Sequence, residues 1–204
     1  MRLYLVRHGE TDWNKEGRVQ GRSDQELSPL GLRQAQFLGE ALRAEPIAAV
    51  YSSPLRRAFE TAEAIARFHS LCVEPEEGLV EMDHGHLDGL LMEDMRRDYG
   101  GFLEEWRVES ADLHVPGGES LVELQARAWA AVEGILGRHP QDTVVAVSHF
   151  FAIITIIAKA LNLDLAYARR LRQDLGALSI LDFGERGPAL SRLNDSHHLS
   201  SGSL

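Results

Sequence analysis

The most constraining feature of this chain stands at its start. Leu3-Tyr4-Leu5-Val6 is a short apolar run that stops abruptly at Arg7-His8-Gly9-Glu10-Thr11. Such a run, bounded by a turn signal, reads as a buried strand. In an open α/β sheet, ligands lie just beyond the carboxyl ends of the strands. Arg7 and His8 therefore stand where a substrate would bind, and Gly9 lets the backbone come close. Taken alone, the pair would serve equally well as the cap of a surface strand. A second strand changes that balance. Thr143 to Val147, β-branched and apolar, ends at Ser148-His149. If the two strands are parallel neighbours, both imidazoles project from one edge of the sheet.

The rest of the chain alternates strands and helices. Asp12 to Leu27 lacks periodicity and reads as a functional loop over the strand end. Ser28-Pro29 predicts a helix N-cap followed by proline at the first helical position, with Leu32, Ala35, Leu38 and Leu42 as the inward stripe and Pro46 as its stop. Ile47 to Tyr51 is the second strand. Ser53-Pro54 predicts another helix start, with Leu55, Ala58, Ala62, Ile65 and Ala66 on one face. Arg56 and Arg57 fall in its first turn, where cations oppose the macrodipole by about a few tenths of a kcal/mol. A bound anion would reverse that sign, and local conflicts of this kind mark functional sites. A short strand near Leu71 to Glu74 follows, then a loop from Leu79 to Gly89, one or two helices over Asp94 to Trp106, and a polar loop from Ala111 to Gly118. Glu119 to Leu136 and Phe150 to Leu161 read as helices. Gly176 to Phe183 and Ala189 to Leu193 read as a closing strand pair, and the tail from Asn194 as mobile at its end. The pattern predicts a three-layer α/β/α sandwich with a mostly parallel central sheet.

Composition bounds the partners. The 204 residues show no repeat, low-complexity tract or composition break, so a single domain over 1–204 is expected. The net charge of −10 argues against nucleic acid, which needs basic surface. A small anion would need a locally positive pocket. Cys72 is the single cysteine, which leaves no intrachain disulfide and no cysteine-based zinc site. The chain enters a strand within two residues, without signal-peptide anatomy. Its most apolar stretch, Phe150 to Ala158, is far short of a membrane span. These features predict a soluble cytoplasmic protein that engages no membrane. A homodimer is an open expectation on base rate alone.

Several segments carry a resemblance. They are Arg7-His8-Gly9-Glu10-Thr11, Asn14, Gln20-Gly21, Leu27-Ser28-Pro29-Leu30-Gly31 with Gln34-Ala35, and Ser52-Ser53-Pro54-Leu55-Arg56-Arg57-Ala58 with Thr61-Ala62. Glu81-Met82-Asp83-His84-Gly85 with Gly89, Gly117-Gly118-Glu119-Ser120 and Val147-Ser148-His149 complete the series. In this order they resemble the histidine phosphatase, or phosphoglycerate-mutase-like, superfamily. The resemblance implies that fold and a role for each residue. His8 would be the nucleophile that forms a phosphohistidine. Arg7, Arg57 and His149 would hold the phosphoryl oxygens, with contacts from Asn14 and Gln20, and Glu81 would protonate the leaving oxygen. No metal or cofactor is implied, and the partner is a small phosphorylated metabolite. The physical chemistry agrees: phosphoryl transfer needs positioning and charge stabilisation, which guanidinium forks supply. Two nearby arginines keep an imidazole neutral, as a nucleophile must be.

One departure concerns the residue after the second histidine. The family commonly has glycine there, whereas this chain has Phe150-Phe151. The Phe150 amide would still reach a phosphate, and its ring would narrow the pocket. The short Asp88 to Gly118 region resembles the phosphatase branch more than the longer mutases. Within that branch, His84 and the tail from Leu193 to Leu199 resemble metal-independent phosphoserine phosphatases, where His84 would face the substrate carboxylate. Phosphoglycerate mutase activity and a non-catalytic phosphate-binding module stand as alternatives. His84-x-His86-x-Asp88 also matches a metal motif, but Gly89 stands where a further histidine is wanted. Asp88 competes with Glu81 as the acid. Trp13, Trp106 and Trp129 read as packing residues, His69, His114 and His139 as surface residues, and the arginines at 169, 170 and 172 as a solvated helix face.

Overall fold

A computed structural model describes residues 1–108 and 111–200, without the side chains of 107 and 108. Among the described residues, six strands form one sheet in the order β3-β2-β4-β1-β5-β6. They are β1 (Arg2–Arg7), β2 (Ile47–Ser52), β3 (Val73–Pro75), β4 (Thr143–Ser148), β5 (Leu178–Gly184) and β6 (Gly187–Asp195). β1, β4, β2 and β3 run parallel, and β5 and β6 close the sheet antiparallel.

Alternation along the strands creates two cores. Leu3, Leu5, Val144 and Ala146 face Val132, Ile135, Ile153 and Ile157 of helices α6 (Leu121–Arg138) and α7 (Phe150–Ala160). Tyr4, Val6, Val145 and Val147 face Leu38, Leu42, Ala62 and Ile65 of α2 (Pro29–Leu42) and α3 (Arg56–Ala66). The expected three-layer arrangement is therefore present. Among the described residues, no helix is long and apolar enough to cross a membrane.

Local differences have physical causes. The segment after β1 is not wholly loop: Asp12–Glu16 form a short helix, α1, closed by a reciprocal Thr11/Asn14 capping box and by Gly17 at positive φ. Ser28 caps α2 as expected, but the helix ends at Leu42, before Pro46, and Leu32 is 55% exposed. Gly31 and Gln34 take the buried positions of that first turn, pressed against the loop that carries His8. α3 begins at Arg56 with Leu55 as its N-cap and no side-chain cap. Ser53 Oγ instead meets His149 Nε2. The region expected as one or two helices is two, α4 (Met92–Asp98) and α5 (Gly100–Val108). β6 extends to Asp195, and a short helix α8 (His197–Ser200) follows. The final four residues, expected to be mobile, lie outside the described residues.

The turn after β1 and the start of α2 are nearly in contact. A Cβ on Gly31 would lie 2.0 Å from the Glu10 carbonyl oxygen, and one on Gly9 2.6 Å from that of Gly31. Three side chains lash the same turn: Thr61 accepts from Gly9 N–H, Gln34 accepts from Glu10 N–H, and Ser28 donates to the Glu10 carboxylate. Gly31→Ala is expected to destabilise the fold by about 2–3 kcal/mol through overpacking, lowering Tm by roughly 5–10 °C. An unchanged melting curve would show that these segments do not pack this closely.

Candidate active site

Strand register assembles the site. Arg7 pairs with Ser148 and Ser52 with Val147, so the ends of β1, β4 and β2 lie side by side. The next residue on each of the first two strands is a histidine. The His8 and His149 ring centroids are 5.1 Å apart, tilted by 56°. Both histidines are buried, and Arg57 is fully buried beside them.

Hydrogen bonding fixes the chemistry of His8. Its Nδ1 lies 2.7 Å from the Gly9 carbonyl oxygen. A carbonyl can only accept, so Nδ1 carries the proton and Nε2 keeps its lone pair. Burial first, and then the Arg57 and Arg7 charges, push the His8 pKa well below the usual histidine value. His149 is held neutral in the same way, by burial and then by Arg57, His8 and Arg7. Its Nε2 meets Ser53 Oγ at 2.8 Å. The Ser53 hydroxyl, which also accepts from Leu55 N–H, can give its proton to Nε2, and in that arrangement the ring proton sits on Nδ1.

The two guanidiniums are held by backbone oxygens. Arg7 donates to Gln173 O at 2.7 Å. Arg57 donates to Gly21 O at 2.7 Å and Ser23 O at 2.8 Å. Burial draws the Arg57 pKa down to about 10, with Glu81, Asp24 and Asp88 opposing the fall, so it remains a cation at neutral pH. Among the described residues, six buried side-chain nitrogens have no partner: Arg7 Nε, Arg57 Nε, His149 Nδ1, Gln20 Nε2, Trp106 Nε1 and His69 Nε2. The first four belong to the expected phosphate-binding residues. An unmatched buried donor costs about 1–3 kcal/mol. Four on one set of cationic and polar side chains describe a place for an anion.

Glu81 is buried, and its Oε1 accepts from Met82 N–H at 2.8 Å and Phe151 N–H at 3.2 Å. A clamp that sequence reasoning missed holds its loop. Arg127, on α6, donates to the carbonyls of Gly78, Val80 and Glu81 and pairs with Glu119 at 2.6 Å. Glu119 in turn accepts from Asp83 N–H. This explains the Gly117-Gly118-Glu119-Ser120 segment: Glu119 anchors the loop, Ser120 caps α6, and a Cβ on Gly118 would lie 2.1 Å from Asp83 O.

A cleft of about 400 Å³ opens over these groups. Arg7, His8, Asn14, Gln20, Glu81, His84 and Phe150 line it, together with Arg18, Met92, Met95, Phe102, Leu103, Trp106 and Phe151. Arg57 and His149 lie buried next to His8 without lining the opening. Asn14 spends its amide oxygen on Thr11, which leaves its NH₂ end for a ligand. Asp88, the rival acid, accepts from Gly21 N–H, Ser23 N–H and Ser23 Oγ and serves as a loop brace. Among the described residues, no three His, Cys, Asp or Glu side chains group as metal ligands. His114 is exposed, but His139 is only partly so and hydrogen-bonds Tyr51. A larger depression, about 690 Å³, lies against β1, β5 and β6 and contains none of the residues around His8.

The model of the histidine phosphatase superfamily (branch 1) matches residues 3–196. The chain belongs to this superfamily. Among curated relatives of this histidine phosphatase superfamily member is phosphoserine phosphatase 1 of Hydrogenobacter thermophilus, 35% identical over 98% of the chain and 94% of the relative. A probable phosphoglycerate mutase of Salmonella choleraesuis is 33% identical over the whole chain and 97% of that relative. A mutase-named relative can therefore be matched over nearly its whole length by this chain, so length does not separate the two names. A mycobacterial glucosyl-3-phosphoglycerate phosphatase, solved with VO3, superposes with a TM-score of 0.90 at 31% identity, covering 96% of this chain and 99% of the other.

Buried neutral histidines tie stability to pH in this superfamily member. His8, His84 and His149 all have folded pKa values below 6.5, burial being the leading cause. Below pH 6.5 the unfolded chain therefore binds more protons than the folded one, and stability falls as pH drops from 6.5 toward the folded values. Tm should decline over that interval, and His8→Asn should flatten the decline. A wild-type Tm that is level from pH 7 to 5 would contradict the assigned neutral imidazoles.

Proposed function

We propose that the chain is a metal-independent phosphomonoesterase that works through a phosphohistidine on His8. The four unpartnered donors around a neutral imidazole of defined tautomer carry this reading. Arg7, Arg57, His149 and Gln20, with Asn14 and the Phe150 amide, take the phosphoryl oxygens. His8 Nε2 attacks phosphorus, the P–N bond forms, and the P–O bond to the alcohol breaks. Glu81 gives its proton to the departing oxygen. Water then enters, Glu81 takes its proton, and the P–N bond breaks to release phosphate and restore His8. The two guanidiniums supply the positive charge that the transition state needs.

Phosphoserine is one candidate substrate, supported by the name of the Hydrogenobacter relative and by an Entamoeba histolytica phosphoserine phosphatase solved with phosphoserine, 29% identical with a TM-score of 0.86. Mutase activity is the second reading, favoured by the Salmonella relatives. Incubation with 3-phosphoglycerate separates the two: a phosphatase releases free phosphate, whereas a mutase accumulates the 2-isomer.

His8→Ala is expected to abolish turnover and leave cooperative unfolding in place. Activity of the wild type should persist in chelator. Residual turnover in His8→Ala comparable to wild type would remove the covalent route.

Glu81→Gln should lower kcat/KM for alkyl phosphates by about 10²–10⁴-fold, the range of general acid catalysis, and for nitrophenyl phosphate far less. Equal losses on both would take Glu81 out of the acid role.

A further inference from the structure

The groups that bind phosphate account for only one end of the cleft. The other end is lined mainly by apolar and aromatic side chains. A chain of ring contacts runs along it from α5 to the site. Phe102 stacks on Trp106 at 6.0 Å between centroids, Trp106 meets Phe151 at 5.6 Å, and Phe151 meets Phe150 edge-on at 5.0 Å. The chain ends where the Arg7 guanidinium lies 5.3 Å from the Phe150 ring centroid. Met92, Met95, Leu103 and Val115 add to the apolar lining.

The polar groups at this end are already occupied or uncharged. Arg18 is the one cation besides Arg7 on the lining among the described residues, and it pairs with Glu16 at 2.6 Å and donates to Gly89 O. His84 packs edge-on to Phe151, 5.3 Å between centroids. Glu81 is the single acid on the lining among the described residues, and it is hydrogen-bonded to two backbone N–H groups. An amino-acid leaving group would bring an ammonium and a carboxylate into a wall of methionine, leucine and aromatic rings, which is costly for unpaired charge.

Resting on the phosphatase reading of the same site, we infer that the preferred substrate class is the phosphomonoester of an apolar, ring-sized or branched alcohol. Its hydrocarbon part lies against Phe151, Trp106 and Phe102 while its phosphate lies at His8. The Phe150-Phe151 pair then has two functions. Phe150 gives Arg7 an aromatic face, and Phe151 joins the Glu81 support to the wall that selects the leaving group.

The test compares three esters of primary alcohols, so that each demands a proton from the enzyme: 2-phenylethyl phosphate, glycerol 3-phosphate and phosphoserine. kcat/KM should be about 30-fold higher for the phenylethyl ester than for the other two, the effect of burying one ring. Trp106→Ala should shrink that ratio to about 3-fold by opening the wall. Because this variant can fail to fold, calorimetric binding of (2-phenylethyl)phosphonate, methylphosphonate and 2-amino-4-phosphonobutyrate to the wild-type protein gives a second measure that needs no turnover. The phenylethyl compound should bind tightest. Phosphate release with phosphoserine or glycerol 3-phosphate favoured would overturn the apolar class and leave the phosphatase reading standing. Absence of release from all three esters would overturn the phosphatase reading, and the order of phosphonate binding would still decide what the cleft selects.

Discussion

Holding two guanidiniums, Arg57 fully and Arg7 partly buried, beside two buried histidines is the constraint on which the rest of this structure depends. Like charges removed from water repel, and each loses its hydration. The protein answers with backbone oxygens: Gln173 O for Arg7, and Gly21 O and Ser23 O for Arg57. It keeps both imidazoles uncharged. Those acceptors lie on loops far apart in the chain, so the loops after β1 and before β5 must close over the same strand ends. What stays unmatched is a set of nitrogens on Arg7, Arg57, His149 and Gln20, which suits the proposed binding of a tetrahedral anion.

Much of the remaining architecture positions this cluster. The turn bearing His8 is bound by Thr61, Gln34 and Ser28, which belong to two helices on one side of the sheet. Across the sheet, Arg127 on α6 takes three carbonyls of the loop that presents Glu81 and is itself held by Glu119. His8 and Glu81, the proposed nucleophile and acid, are thus supported from opposite layers of the sandwich and meet at the carboxyl edge of the sheet. Rigid elements place reactive groups more accurately than loops alone, and here each reactive loop is tied to a helix.

The bulky pair after the second histidine shows how one departure from a family pattern is absorbed. Phe150 lies beside the Arg7 guanidinium, and Phe151 supplies the amide that Glu81 accepts from. Neither ring closes the cleft. Instead they continue the aromatic wall begun by Phe102 and Trp106, the second of which reads from the sequence as a packing residue. Arg169, expected on a solvated face, stacks 4.4 Å from the Trp106 ring centroid.

The strands, the two strand-end histidines and the layered fold were legible in the sequence, because apolar alternation and abrupt polar stops are local signals. The residues of the proposed anion site could be named because each sits in its own short motif, and the resemblance of those motifs to the superfamily implied their roles. Local pattern did not reveal who holds whom. Ser53 reads as a helix cap until β2 and β4 are paired, and then its hydroxyl belongs to His149. Arg127 is one polar residue on an amphipathic helix, and nothing within a turn of it points to Glu81. Helix boundaries at Leu42 and Arg56, and the exposure of Leu32, likewise followed from packing. Sequence by itself therefore determined the chemistry that had to be present, whereas tertiary structure alone decided its geometry, its supports and the apolar wall facing it. The reason is that backbone carbonyls, buried ion pairs and ring contacts join residues distant in sequence, and their partners exist only once the chain has folded.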